Sequence, residues 1–228
     1  MTHSYNPKPD ANSLALRNEC SGGLPQGKEG LLLRFGDYMK VELIDCTVDP
    51  LFIINHAART CYNSHNKDKI DKRADFIKGL IKSGHETPLE FASATFDIEC
   101  SRICQNQMVR HRHASFCVMS ERYVDVGEME FTYPYQLLTE YAGAIEYVQE
   151  AKRIYKALIK AGVKREDARF LLPQGIETKL CVNMNFRELR HFLKLRMDDN
   201  AQWEIRQIAT EIYDICRERW PWLVEDLV

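Results

Sequence analysis

Arginine, histidine and serine crowd into one run, RHRHASFCVMSERY, from Arg110 to Tyr123. Arg110 and Arg112 offer planar, permanently charged forks that suit phosphate or carboxylate. Ser120 and Arg122 add a hydroxyl and a further fork at the far end of the run. Four chemistries use such residues: nucleic-acid binding, metal ligation by His111, His113 and Cys117, nucleophilic attack by Cys117, and a pocket for small anions.

The first three fit poorly. Net charge is −2, so no general field for polyanions surrounds the run. A nucleic-acid patch wants more bases nearby and exposed aromatics among them, whereas apolar residues follow here. Two flanking arginines repel a divalent cation, and no H-E-x-x-H pattern occurs. Cationic neighbours lower a thiol's pKa, but Cys117 is expected to be a small buried thiol. The anion pocket remains. R-H-R, seven residues, then S-x-R sets basic groups at both ends of a short loop, with room for two phosphate-bearing ligands. No G-x-G-x-x-G is present, so any dinucleotide is not held in the Rossmann manner.

Regular elements must present this loop. KVELIDCTV, Lys40 to Val48, alternates as a strand does, and Asp49-Pro50 then starts a helix running to about Cys61. DKIDKRADFIKGLIKSG places Ile70, Ala74, Ile77, Leu80 and Ile81 on one helical face, closed by Gly84. From Ala92 to Cys100 apolar and polar residues alternate, the pattern of a half-buried strand. Ser101 caps a short helix through Val109 that delivers the basic run. A long helix is expected from about Gln136 to Ala161, seamed by Leu137, Tyr141, Ile145, Val148, Tyr155 and Leu158 and stopped by Gly162. EDARFLLP is a short helix closed by Pro173, and GIETKLCVNMN a strand. NFRELRHFLKLRM reads as a helix with an apolar face of Phe186, Leu189, Phe192 and Leu193, and with Arg187, Arg190, His191 and Lys194 opposite. The last long helix begins near NAQWEIR. The order indicates a single α+β domain, a mixed or antiparallel sheet packed with several long helices.

Residues 1–38 lack periodicity and are expected to form a loose arm before a domain spanning 39–228. GGLPQGKE within the arm falls short of a phosphate loop, because Glu29 stands where a magnesium-binding hydroxyl is needed. The chain is long enough to bury a core without disulfide staples. Its eight cysteines form no C-x-x-C pair, which suggests reduced thiols in a cytoplasmic protein and argues against zinc. No apolar run approaches the ~18 residues of a membrane span.

Taken together, R-H-R-x-x-S-x-x-x-x-S-x-R-Y, met here by Arg110, His111, Arg112, Ser115, Ser120, Arg122 and Tyr123, resembles the signature of flavin-dependent (alternative) thymidylate synthases. GHETPLE, EDARFLLP and LRMDDNAQWEI extend the likeness from about Met39 to Trp222. The resemblance implies methylation of dUMP to dTMP with 5,10-methylenetetrahydrofolate as carbon donor, FAD as redox carrier and NADPH as reductant. It also implies a homotetramer whose sites are shared between subunits, with no role for nucleic acid, membrane or metal.

By motif, the resemblance assigns flavin contacts to Thr87, Arg110, His111, Arg112, Val118, Met184, Asn185, Phe186, Arg187 and His191. It assigns dUMP contacts to Gln107, Met108, Val109, Arg110, Met119, Ser120, Glu121, Arg122, Arg169 and Arg196. Arg196 is the expected catalytic group, beside the N3 edge of uracil, where negative charge grows as C5 attacks. Ser120 has been assigned in the family as a nucleophile on C6, but no base for it is evident and an unactivated serine is poor at that task. Four residues depart from the usual pattern: Phe91 for His, Cys117 for Asn, Val118 for Glu or Gln, and His191 for Asn. Two other readings stay open: a nucleic-acid binder using the basic loop and the Arg-rich helix, and a flavin-fold relative that binds nucleotide without making dTMP.

Overall fold

A computed structural model of the chain describes residues 39–134, 137, 140–141 and 143–227. The expected arm and Gln136 lie outside the described residues. Strand β1 (Lys40–Cys46) leads to helix α1 (Pro50–Thr60), whose cap is Asp49: its Oδ1 accepts from the Phe52 N–H at 2.9 Å. Val48 lies beyond the strand and is fully exposed, so the strand is shorter than its alternation suggested. Helix α2 (Arg73–Lys82) stops at Gly84, which takes φ +72, a left-handed conformation that glycine adopts without a Cβ penalty.

Strand β2 (Ser93–Ser101) runs directly into α3 (Arg102–Met108). Strand β3 (Ala114–Val118) follows the basic turn, then α4 (Gly143–Lys160), α5 (Arg165–Ala168) and β4 (Glu177–Asn185). Helices α6 (Phe186–Arg196), α7 (Trp203–Arg219) and α8 (Pro221–Val224) complete the order. The four strands lie in the order β1-β2-β4-β3, every pair antiparallel. The α+β expectation holds, and the sheet is antiparallel rather than mixed.

Alternation builds the core. Ala94, Phe96, Ile98 and Cys100 of β2 and Leu180, Val182 and Met184 of β4 are all buried on one sheet face. Against them pack Leu189, Phe192 and Leu193 of α6 and Ile205, Ile208 and Ile212 of α7. A smaller cluster of Val126, Phe131, Val148, Tyr155, Ala168 and Ile176 gathers α4, α5 and the segment after β3.

Several expectations fail for physical reasons. Ile70 sits in a separate 3-10 turn before α2 and is 79% exposed. Helix α4 is described from Gly143, Leu137 and Glu140 upstream are also helical, and the seam residues Leu137 and Tyr141 are exposed. A Cβ on Gly143 would lie 2.8 Å from the Tyr141 ring, so a larger residue there would displace that exposed ring. Arg190, expected on the polar side of α6, is 1% exposed. It is held by Asp226 at 2.7 and 2.8 Å and by the Leu223 carbonyl, so the last turn of the chain covers it. Cys117 is exposed, because its β3 position faces away from the core-packed Phe116 and Val118. The basic groups are therefore joined by a strand, not a short loop.

Candidate functional site

Helix α3 starts where β2 ends. The Ser101 Oγ accepts from the Cys104 N–H at 3.1 Å, the N-cap that its sequence position promised. After α3 the chain turns: the Arg110 N–H donates to the Gln107 carbonyl and the His111 N–H to the Met108 carbonyl. This turn drives His111 inward and leaves Arg110 and Arg112 outward and free of ion pairs among the described residues. His111 is 6% exposed, stacked edge-on to Phe192 and lying 5.5 Å from the His191 ring.

The partner of His111 is Glu188. Its Oε2 lies 3.2 Å from His111 Nε2, though without the alignment of a hydrogen bond. Glu188 is the third residue of α6, and its N–H is capped by Asn185 Oδ1 at 2.9 Å. Burial pushes the His111 pKa below its usual value; Glu188 opposes the shift, while His191 and Arg196 add to it. At neutral pH the ring is therefore neutral, with one nitrogen unsatisfied.

Arg196 closes this side. Its Nη2 donates to the Gln107 carbonyl at 3.4 Å, and its Nε is buried with no partner. Gln107 Nε2 in turn donates to Gln202 Oε1 at 3.4 Å. Nearby on the α6 side, Arg187 Nη1 meets Glu90 Oε1 at 2.5 Å, both exposed. Glu90 belongs to the 3-10 helix Thr87–Phe91, where Thr87 and Phe91 also face outward. Thr87, Arg187 and His191 thus border one another's elements at the start of α6.

The other end of β3 carries a second cluster. The Tyr123 and Val124 N–H groups return to the Ser120 carbonyl, forming a turn. Glu121 points inward, 6% exposed, with its Oε1 2.6 Å from Arg102 Nη1 in an ion pair. Arg122 Nε lies 2.9 Å from Glu166 Oε2, and Arg169 Nε donates to the Glu166 carbonyl at 3.3 Å. Arg102 thus pairs with the Glu121 carboxylate and Arg122 with that of Glu166, while Arg169 joins the same segment through the Glu166 main-chain carbonyl. Ser120 Oγ accepts from the Arg122 N–H at 3.4 Å, and no side-chain base bonds to it among the described residues.

The assigned residues divide. One group, Arg110, His111, Arg112, Asn185, Arg187, His191, Gln107 and Arg196, gathers around the turn and α6. Another, Met119, Ser120, Glu121, Arg122 and Arg169, gathers beyond β3. Strand β3 lies between them, and its length is about 13 Å at ~3.3 Å per residue. Met108, Met184 and Phe186 are buried in the core, which leaves only their backbone for a ligand. Val109 is half-buried at the turn. Val118 packs against the main core, which explains an apolar residue there.

Sequence reading missed Glu188, Arg102, Gln202 and Glu204. Glu188 had a signal, since Asn185-x-x-Glu188 has the spacing of a capping box. In this fold only the Asn185 half of the box forms, and Glu188 turns to His111. Among the described residues no group of three or more His, Cys, Asp or Glu side chains converges to hold a metal.

Arg196 Nε is buried without a partner and His111 Nε2 lacks an aligned hydrogen bond, while Arg110 and Arg112 carry no ion pair among the described residues. That donor set fits a large, anionic, hydrogen-bond-accepting group such as a phosphate-bearing isoalloxazine, and Asn185 and Arg187 border it.

Residues 42–222 match the Thy1 family, described as thymidylate synthase complementing protein. The flavin-dependent thymidylate synthase of Pyrococcus abyssi is 37% identical over 195 residues, 79% of this chain and 80% of that one. That of Thermococcus onnurineus is 39% identical over 187 residues, 76% of each chain. That of Geobacter sulfurreducens is 38% identical over 205 residues, 82% of this chain and 86% of its own.

Proposed function

The chain belongs to the thymidylate synthase complementing protein family, and from that premise we propose that it methylates dUMP to dTMP with methylenetetrahydrofolate as carbon donor. FAD, reduced by NADPH, supplies the hydride when bound. The observation that carries the reading is Arg196 Nε, buried without a partner beside the basic signature turn, with His111 Nε2 facing Glu188 out of hydrogen-bond alignment.

This chain's residues bind and orient. Arg110, Arg112 and Arg187 offer charge to the flavin diphosphate. Asn185 caps α6 through its Oδ1, and its amide nitrogen would be a donor to the flavin. His111, with its pKa lowered by burial and held beside Glu188, would border the flavin. Thr87 and His191 border the same space. Arg122, Arg169 and the Ser120 turn receive the dUMP phosphate, with Glu121 and Arg102 fixing the turn from beneath. Arg196 donates to the uracil N3 edge. Charge gathers there as C5 becomes nucleophilic, so a fixed guanidinium lowers the barrier more than it aids binding. Ser120 positions the nucleotide rather than attacking it.

The phosphate cluster and the Arg196 cluster lie at opposite ends of β3. That separation supports a site completed by a second copy of the chain, in a homotetramer. Residues 39–228 form the synthase domain, and the enzyme works in the cytoplasm.

Mixing variants tests the shared site. Arg196→Ala and Arg122→Ala proteins, each inactive alone, should regain part of the wild-type turnover when co-assembled. No recovery in verified mixed assemblies would mean that one chain builds the whole site.

A further inference from the structure

Glu204 is a carboxylate with 1% exposure in the first turn of α7. Burying such a group is costly unless it is well bonded. Its Oε1 accepts from the Ser101 N–H at 2.7 Å, and its Oε2 from the Ser101 hydroxyl at 2.5 Å. Ser101 already caps α3 through the Cys104 N–H. Glu204 therefore fixes the capping residue itself.

What hangs on that cap is the candidate site. Helix α3 has seven residues, too few to hold its place without tertiary support. Its first residue, Arg102, pairs with Glu121 under the Ser120 turn. Its sixth, Gln107, receives Arg196 on its carbonyl. The same turn of α7 also holds that far end. Gln202 Oε1 takes the Gln107 Nε2 donor as well as the Glu204 and Ile205 N–H groups. One helical turn thus grips both ends of the short helix that spans from one cluster toward the other.

We propose that Glu204 is a positioning residue: with Gln202 it sets α3, and through it the placement of Arg196 against Gln107 and of Glu121 beneath the nucleotide-binding turn. This deepens the thymidylate synthase reading and rests on it. A Glu204→Gln variant keeps the side chain's size but loses one acceptor, so one of the two Ser101 donors faces an amide NH2 instead.

The test compares Glu204→Gln with Ile54→Val, a core change in α1 away from the site. Both are assayed well below their melting temperatures. Three quantities are read: kcat and KM for dUMP, the dUMP dissociation constant of the flavin-loaded protein by calorimetry, and flavin retained on purification. Glu204→Gln should lower kcat/KM at least tenfold and weaken dUMP severalfold, with flavin retention unchanged. Ile54→Val should lower only the melting temperature. Combined with Arg196→Lys, Glu204→Gln should add little further loss, because both act on one placement. Wild-type kcat, KM and dUMP affinity in Glu204→Gln, or full additivity with Arg196→Lys, overturns the proposal. If Glu204→Gln does not fold, Ser101→Ala removes the hydroxyl arm alone and is read the same way. A wild-type protein that makes no dTMP would sink the enzymatic reading instead, while the calorimetry would still decide the role of Glu204.

Discussion

Arg196 reaches the Gln107 carbonyl with one nitrogen at 3.4 Å, and its Nε is buried beside it without a partner. A long bond and an empty donor leave the guanidinium unsatisfied in the free protein. Such a group can spend its remaining hydrogen bonds on a ligand. Arg196→Ala should therefore cut kcat by about 10²-fold or more, with flavin still retained. Turnover measured beside flavin absorbance checks this. Equal loss of both would make the residue structural.

Ser120 has no neighbouring base among the described residues, so it should be dispensable for chemistry. Ser120→Ala is expected to raise KM for dUMP and to keep measurable kcat. Complete loss of turnover with normal dUMP and FAD binding would restore the serine as a nucleophile.

His111 gives a pH dependence of defined sign. Burial lowers its folded pKa below the unfolded value of about 6.5. The unfolded chain then takes up a proton first as pH falls. The stability contribution is whole above that value and is lost as pH drops through the folded pKa. Melting temperature of the flavin-free protein should fall between pH 7 and 5, less so in His111→Gln. Glu188 raises the His111 pKa, so Glu188→Gln should move the imidazole titration further down by NMR. An upward shift would contradict the pairing.

Asp226 anchors the last turn of the chain to buried Arg190. The Arg190 hydrogen bonds hold its carboxyl below the ordinary range. That contribution is present above the unfolded pKa and fades as pH falls through the folded one. The carboxylate is half-exposed, so solvent screens it. Asp226→Asn should cost about 1–2 kcal/mol at neutral pH and less in acid, by urea denaturation. An unchanged midpoint at pH 7 would show that the Leu223 carbonyl and Glu86, whose Oε1 lies 3.8 Å from Arg190 Nε, hold Arg190 unaided.

Local signals were legible in the sequence. Asp49-Pro50 and Ser101 mark helix starts because a cap bonds residues three positions away. The alternation from Ala92 to Cys100 shows the core face because a strand has only two faces. The signature from Arg110 to Tyr123 was legible as a family likeness, because residues 42–222 match the family as a whole. Tertiary facts were hidden. Arg190 looked solvent-facing until the C-terminal turn covered it, and Cys117 looked buried until β3 paired with β4. Glu204 could not be read at all, since its partner lies 103 residues away.

The central claim is tested by supplying the purified protein with FAD, dUMP, methylenetetrahydrofolate and NADPH under anaerobic conditions and measuring dTMP. The account predicts a yellow protein whose flavin spectrum shifts on adding dUMP and which forms dTMP only when all four are present. A colourless protein that takes up no FAD and forms no dTMP would contradict it.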